Sequence, residues 1–145
     1  MSCGYYDGSG RPYIDGVVFL PHNDRLKKRL LLPISFLVDT GADVTIIVPS
    51  DYEPRGVLYS DFKHHRLSEP GGFGGRIETR LVKSTLLVNA DNDQQKQVTV
   101  VLEIARPAPV FEESPPPPSV LGRDVIDLFR LAVHRDSGLV HLDSG

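Results

Sequence analysis

Apolar positions along this chain recur mostly with a period of two. Between Arg11 and Leu20, Ile14, Gly16, Val18 and Leu20 fall on one side, and Val17 and Phe19 on the other. That pattern predicts a strand apolar on both faces. Pro21-His22-Asn23-Asp24 predicts a turn. Arg29 to Val38 reads as a second strand, with Pro33 marking an edge or a bulge. Its apolar end, Ile34 to Val38, is too short and too rich in β-formers to be a buried helix. The β-branched run Val44 to Val48 predicts a short strand, and Pro49 to Glu53 a loop or a single helical turn. Gly56 to Arg66 has no decisive pattern. Ile77 to Asn89 and Gln97 to Ile104 predict two more strands around the turn signal Asp91-Asn92-Asp93. In the second, Val98, Val100, Leu102 and Ile104 share one side.

One stretch departs from period two. Gly122 to Phe129 spaces its apolar residues as a short helix does, with Asp124 available as N-cap or first-turn acid. Leu131 to Arg135 and Leu139 to Leu142 flank Asp136-Ser137-Gly138, which predicts a final hairpin. Residues 107–118 hold six of the twelve prolines. They predict an extended surface segment, outside helix and sheet interior. Residues 1–10 are rich in Gly and Tyr and are expected to be loose. Many short strands and a single short helix imply an all-β, barrel-like fold.

With 145 residues the chain is expected to form one domain, spanning 11–145 after the loose start. Its 40% hydrophobic and 24% charged residues are ordinary for a soluble globular protein. A net charge of -3 with no face-sized basic cluster argues against nucleic acid as a partner. Lys27-Lys28-Arg29 and His64-His65-Arg66 are short enough to be solvated loops. The single cysteine, Cys3, allows no internal disulfide, so a reducing compartment is expected. The start, Met-Ser-Cys-Gly-Tyr-Tyr-Asp, has neither the basic nor the apolar region of a signal peptide. No apolar run approaches the roughly 18 residues that span a bilayer. These features predict a cytoplasmic protein without a membrane partner.

The chemistry centres on Phe36 to Ile47, where one apolar run delivers Asp39-Thr40-Gly41-Ala42-Asp43 and a second leaves it. A carboxylate at the end of a buried strand costs several kcal/mol unless it is hydrogen-bonded or shares a proton. An Asx-type turn between two strands would use the same residues. Gly71-Gly72-Phe73-Gly74-Gly75 reads as a mobile hairpin tip, a glycine linker or a phosphate-cradling loop. Against the last, the final Gly of the dinucleotide pattern is missing and no Gly-Lys-Ser/Thr comes after it. His22, His64, His65, His134 and His141 are scattered, with no His-Glu-x-x-His or Cys pair, so no metal site is expected. No Ser, His and Asp spacing identifies a nucleophile triad.

Asp39-Thr40-Gly41-Ala42-Asp43, the Gly71–Gly75 tip and Val120-Leu121-Gly122-Arg123-Asp124 occur in that order. Together they resemble the retropepsins, the single-domain aspartic proteases of retroviruses and their cellular and bacterial relatives. The resemblance spans about residues 11–143 in element order. It implies a closed acid-protease-type β-barrel with one short C-terminal helix, forming a homodimer, and an aspartic endopeptidase without a cofactor. Such an enzyme needs two carboxylates close enough to share a proton. The ionised one takes a proton from water, and the protonated one hydrogen-bonds the scissile carbonyl of a peptide or protein substrate. Because this chain has one Asp-Thr-Gly, the second carboxylate must come from Asp39 of a second copy.

The resemblance also implies residue roles. Asp39, Thr40 and Gly41 would be catalytic, Thr40 holding the dyad by hydrogen bonds between subunits. Ala42, Asp43, Gly72, Phe73 and Gly74 would contact substrate, the last three as the tip of a flap. Asp43 and Arg123 would form an ion pair tying the active-site loop to the helix, worth roughly 3–5 kcal/mol if partly buried. Residues 131–143 are expected to contribute to the dimer. The proline-rich segment is no part of the viral pattern. It is expected to be a solvated excursion, the other reading being a docking piece for a proline-reading partner. A non-cleaving peptide-binding or assembly module of the same fold is the alternative function.

Overall fold

The computed structural model describes residues 4–89, 95–134, 136 and 138–143. Two long antiparallel hairpins make most of it. Strand β2 (Pro12–Asn23) pairs with β3 (Lys28–Val38), and β8 (Thr79–Asn89) with β9 (Gln95–Ala105). Short strands β4 (Ile46–Ile47) and β10 (Val120–Leu121) lie between the hairpins. Two more short strands, β1 (Tyr5–Tyr6) and β5 (Arg66–Ser68), flank them. The neighbours run β1-β2-β3-β10-β4-β9-β8-β5. A further pairing of β2 with β8 closes six of these strands into a barrel. Closure leaves the six without a long free edge.

The period-two pattern sets the inward face. Ile14, Val18 and Leu20 of β2, Leu32, Ile34 and Phe36 of β3, Leu86 of β8 and Leu102 and Ile104 of β9 are all buried in one core. A second cluster lies beside β10, built from Ile46, Val48, Ile77, Ala105, Phe111 and Val120. Pro33 is exposed on β3, at a residue opposite Val17 and beyond the two positions that pair with β10. Its missing N–H therefore interrupts no ladder on that side.

Several boundaries differ from the sequence expectations. Strand β2 runs through Pro21-His22-Asn23, with a register shift between Phe19 and His22. A bulge tolerates the proline there, so the turn moves to residues 24–27, where Lys27 takes φ 58°. The N-terminal segment is not loose at Tyr5–Tyr6: β1 pairs with Tyr13 and Pro12, and Gly4 bridges Val140. Two four-residue helices form among the described residues, α1 (Pro49–Tyr52) and α2 (Arg123–Ile126). Beyond Ile126 the predicted helix relaxes into turns, with Leu128 N–H donating to Val125 and Phe129 N–H to Ile126. Within the proline-rich segment, Pro109–Glu112 is a 3₁₀ turn rather than extended chain. Proline suits a first helical position, and Phe111 is buried beneath.

The glycine-rich stretch forms its own hairpin, β6 (Gly71–Gly72) with β7 (Gly75–Arg76). The C-terminal hairpin of β11 (Arg130–His134) and β12 (Leu139–Asp143) is also a separate two-stranded sheet. The expected turn at Asp91-Asn92-Asp93 and position 137 of the last turn lie outside the described residues. No described helix is long and apolar enough to cross a membrane.

Candidate active site

Strand β3 ends at Val38, and its pairing with β10 holds both sides of that end. Leu37 N–H donates to Ser119 O (2.9 Å) and Asp39 N–H to Leu121 O (3.1 Å). Asp39 then turns the chain. Its carbonyl accepts from Ala42 N–H (3.1 Å), and its Oδ1 accepts from Gly41 N–H (2.9 Å). The carboxylate is thus oriented by its own loop, as an Asx turn would do. It is half-buried at one end of the barrel.

Residues 42–45 wrap the start of α2. Arg123 N–H donates to Ala42 O (2.8 Å) and Asp124 N–H to Asp43 O (3.3 Å). The fully buried Thr45 joins the two segments. Its hydroxyl donates to Asp124 Oδ1 (2.7 Å) and accepts from Gly122 N–H (3.0 Å), while its own N–H donates to Asp124 Oδ2 (3.1 Å). Gly122 is needed because a Cβ there would lie 2.4 Å from the carbonyl oxygen of Val44. A second polar brace stands behind β10. Ser119 Oγ accepts from Val48 N–H (3.0 Å) and donates to Asp51 Oδ2 (2.6 Å). Burial pushes the Asp51 carboxyl above its usual range, and the Ser119 bond opposes that shift.

Asp39 lines a cleft of about 240 Å³ with Arg11, Leu37, Ala42, Ile46 and Val120. Gly71, Gly72 and Phe73 line it from the glycine-rich hairpin, and Pro117 and Pro118 from the proline-rich segment. The hairpin turns at Phe73 and Gly74, both at positive φ (52° and 84°). That is the type I′ signature whose twist suits a two-residue β-turn. The cleft therefore gathers Asp39, Ala42, Gly72 and Phe73 of the expected site residues. Thr40, Gly41, Asp43 and Gly74 are exposed and outside its lining. Arg123 Nη2 donates to Asp43 Oδ1, so those two side chains do meet.

The polar links were not foreseen. Thr45 reads in the sequence as one more β-branched strand residue, and Asp124 as a helix-start acid. Only their contact across 79 positions shows that they join the Asp39 loop to α2. The signal available was a polar residue within an apolar run, Thr45 before Ile46-Ile47, where a buried hydroxyl needs a partner.

The retroviral aspartyl protease family matches residues 23–134, most of the chain and all of this site from Asp39 to Asp124. The chain belongs to that family. Among solved structures, a retropepsin-like aspartic protease from Rickettsia conorii superposes with a TM-score of 0.56 at 16% identity, covering 97% of this chain and 87% of that one. EIAV protease, solved with the inhibitor HBY-793, gives a TM-score of 0.47 at 22% identity over 84% and 90%. The Rickettsia likeness is one of fold, and the fold is retropepsin-like. A search among curated proteins finds no match. Within this retroviral aspartyl protease framework, Asp39-Thr40-Gly41 occupies the loop from β3 to β4, the two strands that flank β10, and Gly122-Arg123 the start of the helix behind it.

Proposed function

We propose that this chain is an aspartic endopeptidase whose catalytic dyad forms from Asp39 of two copies. The observation that carries the reading is the setting of Asp39. In a chain of the retroviral aspartyl protease family it lines a cleft beneath a glycine-rich hairpin, oriented by Gly41 N–H. The chain supplies one Asp-Thr-Gly, so one copy holds half of the acid–base pair.

In the dimer the two carboxylates share a proton. The ionised one removes a proton from a water molecule as that water attacks the scissile carbonyl. The protonated one donates to the carbonyl oxygen, giving a tetrahedral intermediate. A proton then passes to the leaving nitrogen and the C–N bond breaks. Thr40 is exposed, as a residue reaching towards a second copy must be. Leu128 (54% exposed) and Val133 (46%) leave apolar surface after α2 that the C-terminal hairpin would bury against the partner. The hairpin of Gly71–Arg76 acts as the flap, with Gly72 and Phe73 over the bound peptide.

The test is Asp39→Asn. Expected are an unchanged sedimentation coefficient and circular dichroism spectrum, with cleavage of a peptide library reduced by at least about 10³-fold, as for loss of a general acid–base pair. Retained cleavage in that variant would end the proposal.

A further inference from the structure

The proline-rich segment does more than cross the surface. Its 3₁₀ turn buries Phe111 at 7% exposure, and the Phe111 ring meets the Phe73 ring edge-on, with centroids 5.2 Å apart and planes at 69°. Phe73 is thereby packed on the apolar cluster of Ile46, Val48, Ile77, Ala105, Phe111 and Val120. Phe73 also lines the cleft that holds Asp39. A backbone feature at Phe73 points the same way. The turn places this residue at φ 52°, where an aromatic side chain is disfavoured, although four glycines surround it. A strained conformer persists only where packing holds it, and the contact with Phe111 is such a hold.

We propose that Phe111 is a positioning residue that latches the glycine-rich hairpin over the cleft of the free enzyme through Phe73. Substrate must break this contact to enter. The latch therefore lowers the fraction of molecules able to bind, and with it the apparent affinity for peptide. The reach of the hairpin is set by a segment far away in sequence, the ring of residue 111 holding that of residue 73. This inference rests on the reading of the hairpin as a flap, so the primary measurement is chosen to need no catalysis.

Amide hydrogen exchange is followed in the substrate-free protein at residues 71–76, in wild type, Phe111→Leu and Phe73→Asn. Phe111→Leu keeps an apolar filler while removing the ring contact. Phe73→Asn removes the same contact from the hairpin side and places at positive φ a residue that tolerates it. Each variant is expected to speed exchange of the hairpin amides by about tenfold or more while β8 and β9 keep their protection. The double variant is expected to add little to either single one. If Phe111→Leu does not fold, Phe73→Asn alone decides the exchange test. Unchanged exchange in the hairpin would overturn the proposal. In peptide cleavage, Phe111→Leu is expected to lower KM several-fold with kcat within about twofold. A raised KM at the same kcat would overturn the latch as a lock on the free enzyme, because the contact would then belong to the bound state. Faster hairpin exchange in a protein without peptidase activity would keep the latch and remove the endopeptidase reading.

Discussion

Thr45 carries three hydrogen bonds that keep the Asp39 loop on α2, and all of them are made by one buried residue. Thr45→Val preserves shape and strand propensity but leaves the Gly122 N–H without its acceptor and Asp124 without its hydroxyl donor. An orphaned buried group costs about 1–3 kcal/mol, so urea unfolding at fixed protein concentration is expected to show a loss near 2 kcal/mol. A change within about 0.5 kcal/mol would mean that water replaces the hydroxyl. The Asp43–Arg123 pair weighs less than its place suggests. Its side chains are 76% and 53% exposed in the single chain, and exposed pairs contribute about 1 kcal/mol or less. The larger value expected for a partly buried pair does not apply to the single chain.

At the scale of elements, the stretch from Gly56 to Arg66 is instructive. It has no hydrophobic period because a carboxylate organises it. Asp61 accepts from Leu58 N–H (2.9 Å), Asn23 Nδ2 (3.0 Å) and Arg25 Nε (2.8 Å), binding the 3₁₀ turn of Tyr59–Phe62 to the end of the β2–β3 hairpin. Arg25 above all, with Leu58 and Asn23, holds its pKa down at about 2, against 3.8 for a free aspartate. A lowered folded pKa means that the unfolded chain takes up the proton first as pH falls. The stability from Asp61 is therefore present above about pH 4 and lost between there and pH 2. Asp51 has the opposite sign: burial raises its pKa, so its contribution improves as pH falls through that raised value. Urea midpoints measured from pH 5 to pH 2 are expected to fall less steeply in Asp61→Asn than in wild type. Parallel curves would show that Arg25 does not hold the carboxylate in solution.

At the scale of the molecule, the proposed dyad, with one Asp39 from each of two copies, would make activity a property of association. Specific activity is expected to fall on dilution through the dimer dissociation range, and initial rate to rise with the square of enzyme concentration well below it. Sedimentation over the same range reports the assembly directly. A rate strictly linear in enzyme down to concentrations where sedimentation finds one copy would remove the dyad between copies.

The period-two pattern by itself determined the long strands, because alternation of side chains is a local property that each strand must satisfy to bury one face. The strand-ending carboxylate of Asp39 likewise stood out as local chemistry, and the resemblance to the retropepsins set Gly122 and Arg123 beside it. Other features needed the tertiary structure. Thr45 clasps Asp124 across 79 positions, and Asp61 reaches Asn23 across 38. Phe111 lies beneath Phe73 across a comparable span. Nothing in a residue's own neighbourhood encodes such a partner. The proline-rich segment shows the difference most clearly. Its composition excludes long helices and sheet interior, but only the pairing of β10 with β3 and β4 brings Pro117 and Pro118 back to the cleft of Asp39 and Phe111 against Phe73.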